Sequence, residues 1–137
     1  MKKRILGIDF GLKRTGIAIT DENNIIASGL TTVDSRELME FLIKTVDEKN
    51  IGPIAFAEPQ RLNMEDSHSS ENVRLFRQAL EKQFPEVKIV MVDERFTSKI
   101  AMQSLISSGI SKKKRQNKAL IDEVSATIIL QSYMSSL

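Results

Sequence analysis

Acidic residues follow three of the segments that read as buried strands. Asp9 closes the run "ILGI", Glu58 follows "IAFA", and Asp93 with Glu94 follows "KIVMV". Carboxylates gathered at one edge of a sheet are the ligands that hard divalent cations prefer. Turns also favour aspartate, so a single acid after a strand is commonplace.

Asp9 is the least ordinary of these acids. It stands between "ILGI" and "FG", where an uncompensated buried carboxylate would cost several kcal/mol. A cation would compensate it, and so would backbone N–H groups of the glycine-containing turn that follows. Both interpretations stay open on spacing alone.

Asp122 is the second notable acid, in a segment with the pattern of an apolar helix. On that helix it shares a side with Ser125, Ala126 and Ile129. The small residues would let the helix approach the sheet closely and carry the carboxylate towards the strand ends. Alternatively, Asp122 and Glu123 only favour the positive N-terminal end of the helix. Taken alone, the second interpretation is the favoured one.

Positive charge is concentrated just before this helix. The chain has a net charge of only +2, yet its basic residues cluster at Lys112, Lys113, Lys114, Arg115 and Lys118. Lys13 and Arg14 follow Asp9 and add to this charge. Carboxylates for metal beside cations for phosphate suit an enzyme that acts on a polyanion, whereas a charge run can also be a solvated loop.

The composition excludes several other chemistries. The chain has no cysteine, so thiol nucleophiles, disulfides and cysteine metal sites are excluded. His68 is its one histidine, and we assign it to a polar loop. No apolar run approaches the roughly 20 residues that span a bilayer, so we expect no membrane association. A length of 137 residues predicts one domain over 1–137.

The hydrophobic periodicity predicts which elements position these residues. We expect a turn over 11–16, a helix that Ser35 caps, and a strand that Pro53 opens. The predicted strands cover 3–10, 17–20, 25–33, 54–57 and 87–92, and the predicted helices cover 36–49, 71–83, 98–107 and 119–134. Hairpin-linked strands are antiparallel and helix-linked strands are parallel. The fold class is therefore α/β, with a mixed five-stranded sheet in which strands 1–3 form an antiparallel meander and strands 4 and 5 run parallel to strand 1.

Four segments together resemble the YqgF/RuvX family of Holliday-junction-resolvase-like proteins, which are also described as pre-16S rRNA nucleases. They are "GIDFGLKRTGIA" (7–18), "LNMEDSHSSENVRLF" (62–76), "VDERFTSKIA" (92–101) and "KALIDEVSATIILQSYM" (118–134). Their order and spacing run the whole length of the chain. The resemblance implies an RNase H-like fold and a divalent-metal nuclease of the cytoplasm.

The resemblance also implies roles for particular acids. Matching motifs make Asp9, Glu94 and Asp122 the catalytic and metal-binding residues. The chain departs from the family at the fourth strand, where it reads "AFAEPQRLNMED" instead of a glycine–leucine–proline-like turn. Since RNase H-like enzymes often carry a metal ligand at the end of that strand, either Glu58 or Glu94 completes the site, and we favour Glu94.

The resulting hypothesis is phosphodiester hydrolysis assisted by Mg²⁺ or Mn²⁺, with Asp9 bridging two metal ions. Arg95, Arg14, Lys13 and the basic loop would hold the substrate backbone. The favoured substrate is the 5′ end of precursor 16S rRNA, and the alternative is a Holliday junction in branched DNA. We expect a monomer or a weak homodimer.

Two rival functions belong to other classes. "GIDFGLKRTGIAI" also resembles the phosphate-binding hairpin of actin-like ATPases, which need a second domain that 137 residues cannot supply. A non-catalytic module that binds RNA or ribosome precursors would keep the acids only for structure.

Overall fold

A computed structural model describes residues 3–58, 68–93 and 118–137. The strands are β1 (Arg4–Asp9), β2 (Arg14–Thr20), β3 (Ala27–Asp34), β4 (Ile51–Glu58) and β5 (Ile89–Asp93). The helices are α1 (Leu38–Glu48), which a 3-10 turn over Ser35–Glu37 precedes, α2 (His68–Gln83) and α3 (Lys118–Ser135). The helix predicted over 98–107 lies outside the described residues.

The five strands form one mixed sheet in the order β3-β2-β1-β4-β5. β1 pairs antiparallel with β2, and β2 pairs antiparallel with β3. β4 is parallel to both β1 and β5. The predicted topology is confirmed, and Asp9 ends the central strand.

Helices cover both faces of this sheet. Alternate side chains of each strand point to opposite faces, so Leu6 and Ile8 pack with α1 and α2, whereas Ile5 packs with α3. The face of the sheet that α3 covers carries small residues, among them Ala18 and Ala55, which are both fully buried. Within the described residues, no helix is long and apolar enough to cross a membrane.

Several predicted boundaries were wrong for local reasons. Pro53 lies inside β4, because a register shift opposite Arg4–Leu6 gives room for a residue without an N–H donor. The cap of the turn before α1 is Asp34, whose side chain accepts the N–H of Arg36, rather than Ser35. His68 is not in a loop, since α2 begins there.

Candidate active site

The parallel strands bring three acidic positions to one edge of the sheet. Asp9, Glu58 and Asp93 are the last residues of β1, β4 and β5. Ile8 pairs with Phe56 in the register, and Glu58 pairs with Asp93, so the three strand ends lie side by side. The predicted gathering of strand ends is therefore confirmed at the level of the backbone. Carboxyl ends of parallel strands are where α/β sheets usually bind ligands.

Gly16, on β2, contacts both the end of β1 and the first turns of α3. It is the cross-strand partner of Asp9 on β2. A Cβ at position 16 would lie 2.0 Å from the carbonyl oxygen of Asp122 and 3.0 Å from its Cβ, far inside contact distance. Only a glycine lets the first turns of α3 lie against β2 here. Asp122 is thereby held one strand away from Asp9.

Strand alternation places Asp9 on the same face of the sheet as Asp122. Gly7, two residues before Asp9, faces α3, since a Cβ there would lie 2.7 Å from the Cβ of Leu130. Position 9 therefore faces α3 as well. Asp122 is half-buried, with 21% of its side chain exposed. Two carboxylates on one face at one sheet edge can act together on a ligand.

The role of Gly16 is not visible in the sequence. The two glycines of 11–16 predict a turn, whereas β2 begins at Arg14 and Gly16 lies inside the strand. Gly7 and Gly29 also face α3, so glycines on three adjacent strands form the surface on which this helix lies. The small residues of α3 that pack there, Ser125 and Ala126, are both buried, as the pattern predicted.

An aromatic cluster fixes the chain just after Asp9. The ring of Phe10 lies 5.4 Å from that of Phe76 on α2 and 6.0 Å from that of Phe56 on β4. These centroid distances are typical of favourable aromatic pairs. Asp9 therefore lies between a fully buried Ile8 and an anchored Phe10, which holds its backbone at one place.

The turn between β1 and β2 is held by Ser35. The Ser35 hydroxyl donates to the carbonyl of Gly11 at 2.5 Å, and the Ser35 N–H donates to the carbonyl of Lys13 at 3.0 Å. The buried Thr15 hydroxyl lies 2.8 Å from the same Ser35 oxygen. This network holds Lys13, whose side chain is exposed, in a fixed turn beside Asp9.

Arg14 contacts an acid of the protein itself. Its Nε donates to Oδ2 of Asp122 at 2.8 Å, although the two residues are far apart in the chain. The charge of Arg14 and its position after Asp9 predict a contact with substrate. The ion pair shows that the Arg14 guanidinium contacts Asp122, which is a candidate metal ligand.

Glu123 diverges from Asp122 although it is the next residue. Its Cβ would be 3.2 Å from a Cβ at Gly29, so it lies over β3 rather than over β2. Burial, and secondly the charge of Asp122, raise the pKa of the Glu123 carboxyl. Glu123 therefore repels Asp122 electrostatically, but it lies over β3, whereas Asp122 lies over β2.

The donor chemistry of this edge fits a hard divalent cation. Aspartate oxygens are the ligands that Mg²⁺ and Mn²⁺ prefer, and those of Asp122 are partly open to solvent. Among the described residues, no group of three or more acids and histidines forms a metal cluster. Of the other predicted site residues, Glu94, Arg95, Lys112, Lys113, Lys114 and Arg115 lie outside the described part of the chain, and Lys118 is the first residue of α3.

Residues 3–136 match the family described as RuvX, Holliday junction resolvase. A relative from Flavobacterium johnsoniae, named "Putative pre-16S rRNA nuclease", is 50% identical over 97% of this chain and 96% of its own length. A relative from Phocaeicola vulgatus with the same name is 48% identical over the same shares.

Solved structures share the fold at low sequence identity. Thermus thermophilus RuvC, in complex with a Holliday junction substrate, matches with a TM-score of 0.63 and 15% identity, covering 98% of this chain and 96% of that one. The fowlpox virus Holliday junction resolvase matches with a TM-score of 0.59 and 15% identity, covering 98% and 99%. The arrangement of strands and helices is thus RuvC-like, in agreement with the RNase H-like fold that the family resemblance implied.

Proposed function

This chain belongs to the RuvX family of nucleases, and from that membership and the geometry of its sheet edge we propose that it is a metal-dependent nuclease whose centre includes Asp9 and Asp122. The observation that carries this proposal is the contact between Gly16 and Asp122. It brings the helix acid next to the strand that pairs with Asp9. Two carboxylates on one face of a sheet edge carry like charges that a bound divalent cation would compensate.

Asp9 and Asp122 are the residues that would hold Mg²⁺ or Mn²⁺. Such a cation, when bound, activates a water molecule and stabilises the leaving oxygen of a phosphodiester. The anchored Phe10 and the Gly16 contact keep the two carboxylates in place. The sheet and α3 thus provide a rigid support, which metal sites need because ligand distances are tolerated only to about 0.2 Å.

We propose Glu94 as the third acid, in preference to Glu58. Val90 and Val92 of β5 pack on the α3 face, on which Asp9 lies. In the sequence, Glu94 is the next position of the alternation that includes Val90 and Val92. On β4, by contrast, the alternate positions before Glu58 are Ile54 and Phe56, which pack on the other face. Parallel assays of Glu94→Gln and Glu58→Gln test the choice, and Glu94→Gln is expected to lose cleavage.

Basic residues around this edge are the proposed contacts to the phosphate backbone. Lys13 is exposed in the fixed turn beside Asp9. Lys118 begins the helix that carries Asp122. The sequence-based candidates that complete the set are Arg95, Lys112, Lys113, Lys114 and Arg115. Contacts to phosphate position a nucleic acid without reading its sequence, so they suit recognition of shape.

The proposed substrate is the 5′ end of precursor 16S rRNA, processed in the cytoplasm by a monomer or weak homodimer. The names of relatives about half identical to this chain support this choice. The family description and the RuvC-like fold support branched DNA as the second candidate. The match along the whole chain to a nuclease family argues against the actin-like ATPase rival.

The deciding experiment compares two substrates under identical conditions. Purified protein is incubated with a precursor 16S rRNA transcript and with a four-way DNA junction, with Mg²⁺, with Mn²⁺ and with chelator. Specific cleavage of the transcript near the mature 5′ end, abolished by chelator, supports the proposal. Cleavage of the junction alone favours the resolvase. Binding without cleavage under every metal would leave the non-catalytic module as the function.

A further inference from the structure

The ion pair between Arg14 and Asp122 joins the start of β2 to the first turns of α3. The Arg14 Nε lies 2.8 Å from Oδ2 of Asp122, and the side chains are 40% and 21% exposed. Within the described part of the chain, this is the polar contact that the Asp122 carboxylate makes. A charge-assisted hydrogen bond in a partly shielded site is stronger than an exposed surface pair.

A second acid, Asp34, lies beside Arg14 in the sheet, but its carboxylate is paired with Arg36. Asp34 is the cross-strand partner of Arg14 on β3. Its carboxylate instead accepts from the Nε and a terminal nitrogen of Arg36, at 3.2 and 3.1 Å. Each arginine thus has its own carboxylate, and that of Arg14 is the candidate metal ligand.

Both partners of the pair are held by backbone contacts. On one side, Ser35 holds the turn that leads into Arg14, because its hydroxyl donates to the carbonyl of Gly11 and its N–H donates to the carbonyl of Lys13. On the other side, the backbone of Asp122 lies against Gly16. The backbones of both partners are therefore held in place, so forming the ion pair orders only the two side chains.

We propose that Arg14 is the resident counter-ion of Asp122, and so a positioning residue rather than a phosphate contact. It holds the carboxylate at the sheet edge before a divalent cation binds, and its positive charge opposes that cation afterwards. One carboxylate oxygen accepts from Arg14, and the other is the one offered to the metal. This inference rests on the proposed metal site, and it gives Arg14 a role other than the substrate binding that its charge predicted.

The test compares Arg14→Met with Lys13→Met, its neighbour in the chain. Thermal melts are recorded in chelator and over a MgCl₂ titration, and binding to a precursor-end RNA is measured against salt in chelator. Arg14→Met should melt lower in chelator, reach any given Mg²⁺-induced shift at about fivefold lower Mg²⁺, and keep the wild-type salt slope. Lys13→Met should keep both melting properties and flatten the salt slope by about one. If Arg14→Met instead behaves like Lys13→Met, the proposal is overturned.

A double-mutant cycle with Asp122→Asn separates this inference from the proposed function. In chelator, Arg14→Met should lower the melting temperature of the wild type but not that of the Asp122→Asn variant. An equal decrease in both backgrounds overturns the counter-ion role. A wild type that MgCl₂ does not stabilise counts against the proposed metal site instead, and the cycle in chelator still decides whether Arg14 acts on Asp122.

Discussion

Replacing Gly16 by alanine perturbs the closest contact between the sheet and α3. The new methyl would lie 2.0 Å from the carbonyl oxygen of Asp122 and 2.4 Å from its carbonyl carbon, both backbone atoms that no rotamer change can move. The helix must therefore retreat by about 1 Å or more. Overpacking of this kind costs about 1–3 kcal/mol, and we expect the upper end. For a chain of this size, that lowers the melting temperature by about 10 °C.

The same displacement should remove the response to metal. Ligand positions in a metal site are tolerated to about 0.2 Å, so a shift of Asp122 away from Asp9 breaks the site. Saturation at about 100 times the dissociation constant stabilises a native state by about 2.7 kcal/mol. We expect MgCl₂ to raise the wild-type melting temperature by roughly 10 °C under those conditions, and that of Gly16→Ala hardly at all.

Two other glycines under α3 provide matched controls. At Gly7 a methyl would lie 2.7 Å from the Cβ of Leu130 and 2.8 Å from the carbonyl oxygen of Ala126, one to two turns along the helix from Asp122. Gly7→Ala should therefore lose stability but keep its Mg²⁺-induced shift. At Gly29 the nearest atom is a side-chain carbon of Glu123 at 3.2 Å, so Gly29→Ala should stay within about 1 kcal/mol of the wild type. A Gly16→Ala protein with wild-type melting and a wild-type Mg²⁺ response would refute the reasoning.

Three further predictions concern charge. Burial raises the pKa of Glu123, so its ionisation destabilises the fold as pH rises through that pKa. Glu123→Gln should therefore melt higher than the wild type at pH 7, with no gain near pH 4. Hydrogen bonds from the N–H groups of Ile26 and Ile25 lower the pKa of Asp21. Asp21→Ala should therefore melt lower than the wild type at pH 7, and the difference in melting temperature should disappear as the pH falls below the lowered pKa. Replacing the basic residues at 112–115 by alanine should weaken RNA binding and flatten its salt dependence without changing the melting temperature; an unchanged slope would mean a merely solvated loop.

The sheet and the position of Asp9 could be predicted because they follow from local patterns. Apolar runs of strand length, joined by a hairpin or by helices, fix which neighbours are parallel. Asp9 was identified because its apolar neighbours made a carboxylate costly. The small residues Ser125 and Ala126 correctly indicated the side of α3 that packs on the sheet.

The remaining features depend on contacts between distant segments. Gly16 belongs to a stretch with glycine at both ends, which is typical of a turn, and only α3 shows why the strand needs it. The charge of Arg14 predicted a cationic role, but its partner comes from the other end of the chain. Pro53 resembles a strand start until the shift in register with β1 is seen. Such features are set by tertiary packing, which no local spacing encodes.

The cleavage activity of the Asp9→Asn variant tests most directly whether Asp9 and Asp122 share a divalent cation. Wild type, Asp9→Asn and Asp122→Asn are assayed on the precursor 16S rRNA transcript with Mg²⁺, and each is melted to confirm that it is folded. If the two aspartates share a divalent cation, both variants fold, lose cleavage to background and lose stabilisation by Mg²⁺. If Asp9 only accepts backbone N–H groups, asparagine keeps cleavage and costs some stability. A folded and fully active Asp9→Asn protein, free of contaminating nuclease, would contradict the mechanism.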